Sequence, residues 1–262
     1  MANIYQPNDR YAFVGKTGSG KTGLAIVFAS TIALALLQSG WEVWWIDTKG
    51  DPKDRAALRT WGFRNGASAN DLITTKMPNA KYFLVEAKRI DGKNLSIVVQ
   101  AQQIMRAAYV KGKVVVVVDE YTQVVPSTAS PGPALKDIFT RGRGKNVGII
   151  GLTQEPVNIP RMLLSQASHI AAFNLTYEYD IEYIQKRVIR QYQPPFEKGD
   201  KYGFYWKWVE GPNTDVQYWA DQSEWYKQLA ISRPGKASFK PGSTFARPDR
   251  SGELHPSEPL KR

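Results

Sequence analysis

The chain has 262 residues, enough for one α/β domain with a full core and some appended structure. It has no cysteine, which excludes a disulfide framework and any thiolate metal site. Its 35 Lys and Arg against 24 Asp and Glu leave a net charge of +11, a balance that favours a polyanionic partner, nucleic acid first.

Residues 1–10 are polar and lack the apolar core of a signal peptide. Residues 11–14 predict a short buried strand that runs into a glycine-rich loop. Residues 21–38 then predict a mostly apolar helix, with Gly40 just past its end as a stop. The longest apolar stretch, residues 24–37, is too short to span a bilayer and reads as a buried helix. Residues 41–47 are aromatic and β-branched and predict a second strand, and residues 81–86 a third. Ile97, Ala101, Ile104 and Ala108 recur at helical spacing within residues 96–110.

The five-valine run Val114 to Val118 suits a central parallel strand buried on both faces. Residues 147–152 and 169–175 predict further strands. Helices are expected near residues 134–140 and over residues 177–192, the last ended by Pro194-Pro195, with a short turn or helix near residues 160–165. Residues 201–209 and 216–219 flank Gly211-Pro212-Asn213 and predict a β-hairpin. From Ser232 the chain is basic and proline-rich, a composition expected to stay disordered until it meets a partner. Strands alternating with helices imply a mostly parallel sheet with helices on both faces. The expected division is an α/β domain with a C-terminal hairpin over residues 1–230 and a flexible tail over residues 231–262.

Gly15-Lys16-Thr17-Gly18-Ser19-Gly20-Lys21-Thr22 matches the P-loop pattern between a predicted strand and a predicted helix, and these residues with Gly23 are the expected nucleotide-binding set. Glycines let backbone N–H groups converge on phosphate oxygens without a Cβ in the way. Lys21 supplies a point charge to the β- and γ-phosphates, the Thr22 hydroxyl ligates Mg²⁺, and the helix turns its positive end toward the phosphates. ATP and Mg²⁺ are therefore the expected ligands. Asp119-Glu120 caps the valine strand. In a parallel sheet the carboxyl ends of the strands face the ligand crevice, the edge at which the glycine loop opens. Asp119 is expected to hold Mg²⁺ through water, and Glu120 to polarise the attacking water as general base.

Gly148-Ile149-Ile150-Gly151-Leu152-Thr153-Gln154-Glu155-Pro156 is a hydrophobic strand ending in Thr-Gln, followed by a proline. Together with the glycine loop, the Asp-Glu strand end, the basic turn Arg141-Gly142-Arg143-Gly144-Lys145, Asn158-Ile159-Pro160 and Ala167-Ser168-His169-Ile170, it resembles the FtsK/HerA superfamily of DNA-pumping ATPases over residues 11–175. The resemblance implies a RecA-like P-loop NTPase. It makes Gln154 a polar sensor of the γ-phosphate or attacking water and Arg143 an arginine finger that reaches a neighbouring subunit, with Arg141 a competitor and a basic DNA- or solvent-facing turn the plainer reading of both. A trans finger implies a ring, a hexamer in this superfamily. The absence of added domains makes the chain look most like genome-packaging ATPases of membrane-containing double-jelly-roll DNA viruses. Double-stranded DNA, a capsid vertex and virion membrane proteins would then be its partners, and the host cytoplasm or the virion vertex its place of action. A filamentous-phage or conjugation-type pump and an ATP-gated scaffold are the rivals.

Asp47-Thr48-Lys49-Gly50-Asp51 ends the second strand and reads equally as a nucleotide-facing or interface turn and as a simple connection. Arg55, Arg59, Arg64, Lys76, Lys81, Lys88, Arg89 and Lys93 load the next segment with charge suited to sequence-independent phosphate contacts. The aromatic residues between Tyr202 and Tyr226 suit packing on the core or a partner subunit better than base stacking.

Overall fold

The computed structural model describes residues 6–36, 40–65, 82–86, 97–209 and 216–225. Its strands are β1 (Arg10–Val14), β2 (Glu42–Asp47), β3 (Arg64–Asn65), β4 (Tyr82–Glu86), β5 (Val114–Val118), β6 (Val147–Thr153), β7 (His169–Ala172), β8 (Phe204–Trp208) and β9 (Val216–Trp219). Its helices are α1 (Lys21–Leu36), α2 (Pro52–Thr60), α3 (Ile97–Lys111), α4 (Tyr121–Val124), α5 (Pro133–Arg141), α6 (Arg161–Ser165) and α7 (Glu178–Arg187). The strands form one sheet in the order β3-β4-β2-β5-β6-β1-β7-β8-β9. Pairing is parallel from β3 to β7, and β8 and β9 close the edge antiparallel.

Alternation along each strand divides the interior into two cores. Tyr11, Phe13, Val43, Trp45, Val115, Val117, Ile150 and Leu152 face α1 and α2, where Leu24, Phe28 and Leu58 are buried. Ala12, Val14, Trp44, Ile46, Val114, Val116, Val118 and Ile149 face the other side, where α3, α5, α6 and α7 bury Ile104, Met105, Leu135, Phe139, Leu163 and Ile184. All five valines of β5 are buried, between β2 and β6. With both faces covered, this strand needs no alternating pattern.

The expected hairpin belongs to the same sheet. β8 pairs with β7, matching Tyr205 to Ala172, and β9 pairs with β8. Phe204 and Trp206 join Phe28 and Trp225 in the first core, and Tyr205 packs on the second. These rings pack on the core and are closed to bases.

Two boundaries differ from the sequence reading. The helix predicted to reach residue 192 stops at Arg187, and β7 stops at Ala172. One contact explains both. The chain turns back after Val188 and buries Tyr192, whose hydroxyl donates to the Phe173 carbonyl and accepts from the Leu175 N–H at 3.0 Å. Short α2 was not foreseen; Asp51 caps it by accepting from Lys53 N at 2.8 Å, with Pro52 in its first turn. The predicted tail, residues 231–262, lies outside the described residues, as do Lys76, Lys81, Lys88, Arg89 and Lys93.

Candidate functional site

Because β1, β2, β5, β6 and β7 are parallel neighbours, their carboxyl ends share one rim. The glycine loop follows β1, the Asp47 turn follows β2, Asp119-Glu120 follows β5, Gln154 follows β6 and Asn174 follows β7. The loop is tied to this rim by its backbone: Gly15 N–H donates to the Thr153 carbonyl at 3.1 Å and Lys16 N–H to the Asn174 carbonyl at 2.8 Å. A Cβ at Gly15 would sit 2.6 Å from the Phe173 Cβ, so only glycine allows the loop to lie this close to β7. Gly20 has φ +90°, a left-handed conformation that also calls for glycine.

Lys21 opens α1 and is buried, and its ammonium has no hydrogen-bond or ion-pair partner among the described residues. Burial pushes it down to about 8; Lys49 pushes the same way, and Glu120 and Asp119 oppose. It remains largely cationic at neutral pH and feels both acids. Ser19 Oγ is buried without a hydrogen-bond partner among the described residues. A buried hydroxyl left unpaired is costly, and together with an ammonium that has no protein partner it fits an anionic ligand. Thr22 lies next in line, half-buried, and Gly23 is exposed with open space around it.

Thr17 and Gln154 meet directly: the Thr17 hydroxyl donates to Gln154 Oε1 at 2.6 Å. Gln154 N–H points to Glu120 Oε1 at 3.4 Å, and the Thr122 hydroxyl to the same oxygen at 3.2 Å. Glu120 Oε2 is buried and accepts no hydrogen bond. One oxygen of Glu120 is thus held by hydrogen bonds, and the other faces Lys49 Nζ at 3.8 Å. Tyr121 sets this orientation. Its buried ring lies on Gly151, so closely that a Cβ at Gly151 would enter the ring.

Asp119 turns toward the β2 end. Its Oδ1 accepts from Thr48 N at 3.0 Å and from the Thr48 hydroxyl, and its Oδ2 from Lys49 N at 3.4 Å. Burial pushes its carboxyl up to about 6, with the Thr48 hydrogen bonds and Lys49 opposing. Lys49 Nζ donates to the Asp119 carbonyl at 2.9 Å and lies 3.8 Å from Glu120 Oε2. Thr48 and Lys49 therefore hold Asp119 against the end of β2. Their pairing with Asp119 bridges about seventy residues and has no local sequence signal. Arg55, one of the charges assigned to DNA, instead pairs with Asp47.

Arg143 stands apart. It precedes β6, at the rim opposite the glycine loop, where Asp9 leads into β1 and His169 opens β7. Its guanidinium donates to Asp9 Oδ1 at 2.7 Å and to Ser168 Oγ at 3.0 Å, and its side chain is 44% exposed. Asp9 Oδ2 lies 3.1 Å from His169 Nε2, and the His169 ring stacks between Tyr11 and Trp208. Arg141, at the end of α5, is exposed.

No protein-family profile matches the chain. It is 27% identical over 184 residues to the DNA packaging ATPase P9 of Enterobacteria phage PRD1, covering 70% of this chain and 72% of that protein. Its structure is similar to that of the genome packaging NTPase B204 of Sulfolobus turreted icosahedral virus 2, solved in complex with AMPPCP. The TM-score is 0.60 at 18% identity, over 82% of this chain and 98% of that one. The DNA-packaging ATPase B204 of Sulfolobus turreted icosahedral virus gives 0.56 at 16% identity over 82% of this chain and 98% of that one. The chain has a RecA-like P-loop NTPase fold. In this P-loop NTPase the sheet rim brings Lys21, Glu120 and Gln154 together and sets Asp119 beside them, while Arg143 stands on the far rim. The protein matched by sequence and the structures matched by fold are each described as viral packaging ATPases or NTPases.

Among the described residues no cluster of three or more His, Asp or Glu side chains could hold a metal ion by itself, and no helix is long and apolar enough to cross a membrane. Mg²⁺ in nucleotide sites takes few protein ligands and completes its shell with phosphate oxygens and water, so Thr22 and one acid suffice.

Proposed function

We propose that this chain is a Mg²⁺-dependent ATP hydrolase that drives double-stranded DNA into a viral particle. The observation that carries the reading is Lys21, a buried residue whose ammonium has no partner among the described residues and feels Asp119 and Glu120. A triphosphate would give that ammonium its missing partner. Backbone N–H groups of residues 15–22 would surround the β-phosphate, and the positive end of α1 would face it. Thr22 and Asp119 would hold Mg²⁺, which supplies charge neutralisation on the β- and γ-oxygens. The fixed Glu120 would take the proton of the attacking water through its unbonded Oε2. Gln154, held by Thr17, would sense the γ-phosphate or orient the water.

Arg143 faces away from its own glycine loop, and this supports a finger that serves a neighbouring subunit's nucleotide. A ring, a hexamer on the superfamily resemblance, would provide that neighbour. Arg59 and Arg64 are exposed and would contribute to a sequence-independent DNA surface. The protein would act in the host cell or at the virion vertex.

ATP turnover measured with and without double-stranded DNA tests the reading. Stimulation by DNA is expected in the natural sequence, and the Lys21→Ala variant should lose tight ATP binding. Turnover indifferent to DNA would favour the ATP-gated scaffold.

A further inference from the structure

From residue 192 on, the described rings of Tyr192, Phe204, Tyr205, Trp206 and Trp225 are buried and those of Trp208, Tyr218 and Trp219 half-buried. Phe196 and Tyr202 are 63% and 49% exposed, and both lie against the glycine loop. Phe196 N–H donates to Asn174 Oδ1 at 3.2 Å, and the same Asn174 receives Lys16 N–H on its carbonyl. One asparagine thus fixes Phe196 to the start of the loop, and Lys16 Nζ lies 5.5 Å from the centre of the Phe196 ring. Tyr202 meets the other end. A Cβ at Gly20 would come within 3.1 Å of Tyr202 Cδ1 and would overlap the Gln222 carboxamide, whose Nε2 donates to the Tyr202 carbonyl at 3.3 Å.

Leaving two large rings in water forgoes the free energy of burying them. These two flank the segment that would hold the phosphates, within a few ångströms of it. A nucleotide held there places its base one ribose beyond the α-phosphate. A flat, weakly polar base covers an aromatic face well, and such stacking contributes about 1–3 kcal/mol per base.

We propose that Phe196 and Tyr202 form the platform for the base of the bound nucleotide, with Asn174 as the residue that positions Phe196. The assignment rests on the phosphate-loop reading above. The proposal gives the rings to the nucleotide and not to a subunit contact because both are joined directly to the loop.

The test compares calorimetric binding of ATP, ADP and inorganic tripolyphosphate to the full chain and to the Phe196→Ala, Tyr202→Ala and Phe196→Trp variants. Tripolyphosphate reports the phosphate site without a base. The alanine variants should bind ATP and ADP about tenfold more weakly, the factor that corresponds to ~1.4 kcal/mol, with tripolyphosphate affinity unchanged. Phe196→Trp should retain ATP affinity. Equal losses for ATP and tripolyphosphate would mean that the rings only brace the loop and would overturn the proposal. So would unchanged ATP affinity, or altered self-association with nucleotide affinity intact. If Lys21→Ala binds tripolyphosphate as tightly as the natural sequence, the phosphate-loop reading itself fails, a result distinct from loss of the platform alone.

Discussion

Asp9 shows how much a single carboxylate can organise at the rim away from the glycine loop. It is buried, and it is shared between the Arg143 guanidinium and the His169 ring. Burial pushes its carboxyl up, but the hydrogen bonds and charges of His169 and Arg143 outweigh this and hold it below its ordinary 3.8. A carboxyl depressed by folding stabilises the native state at pH above its unfolded value and loses that contribution as pH falls through the lower folded value. The melting temperature of the natural sequence should therefore drop on acidification below pH 3.8 more steeply than that of Asp9→Asn, which should melt lower at neutral pH. Parallel acid profiles for the two would remove Asp9 from this role. His169 carried no assignment in the sequence; its part is to buttress Asp9 while stacked between Tyr11 and Trp208.

Among the elements, β6 and α4 depend on one close approach. β6 is buried along its whole length, and Gly151 within it leaves room for the Tyr121 ring of α4. Since Tyr121 directly follows Glu120, that packing also aims the carboxylate. Gly151→Ala should destabilise the protein by roughly 1–3 kcal/mol, read from denaturant unfolding, because the ring has no open side to move into. An unchanged unfolding midpoint would contradict the packing described. What the sequence made legible follows from the same physics. The valine strand, the apolar helix behind the glycine loop and the Asp-Glu strand end carry their signals within a few residues. Thr48 and Lys49 on Asp119, Asn174 under the loop, and Tyr192 closing the end of β7 are tertiary pairings between distant segments, which no local pattern announces. Two-residue β3 is too short for periodicity, and α2 buries only Leu58, so its charged sequence carries no apolar stripe.

Across the whole molecule, the two rims of the sheet carry different groups. One carries the glycine loop, both acids and Gln154; the other carries Arg143. A motor built from such subunits would complete each nucleotide site with its neighbour's arginine, and the Asp9 pairing would hold that arginine ready. In such a motor, Arg143→Ala alone or Glu120→Gln alone should turn over ATP far more slowly than the natural sequence, since an arginine finger contributes on the order of a thousandfold or more and a general base about a hundredfold or more. Mixing the two variants should restore part of the activity, since some interfaces would then pair an intact Glu120 with an intact Arg143. No recovery at any mixing ratio would count against Arg143 and turn attention to Arg141.

The central claim is that Lys21 and Thr22 act with Asp119 and Glu120 on one Mg²⁺-bound triphosphate. The most direct measurement is ATP binding and single-turnover hydrolysis by Glu120→Gln. The account predicts ATP held as tightly as in the natural sequence, with hydrolysis slowed by about a hundredfold or more, the loss of a general base. Hydrolysis at the natural rate would contradict it.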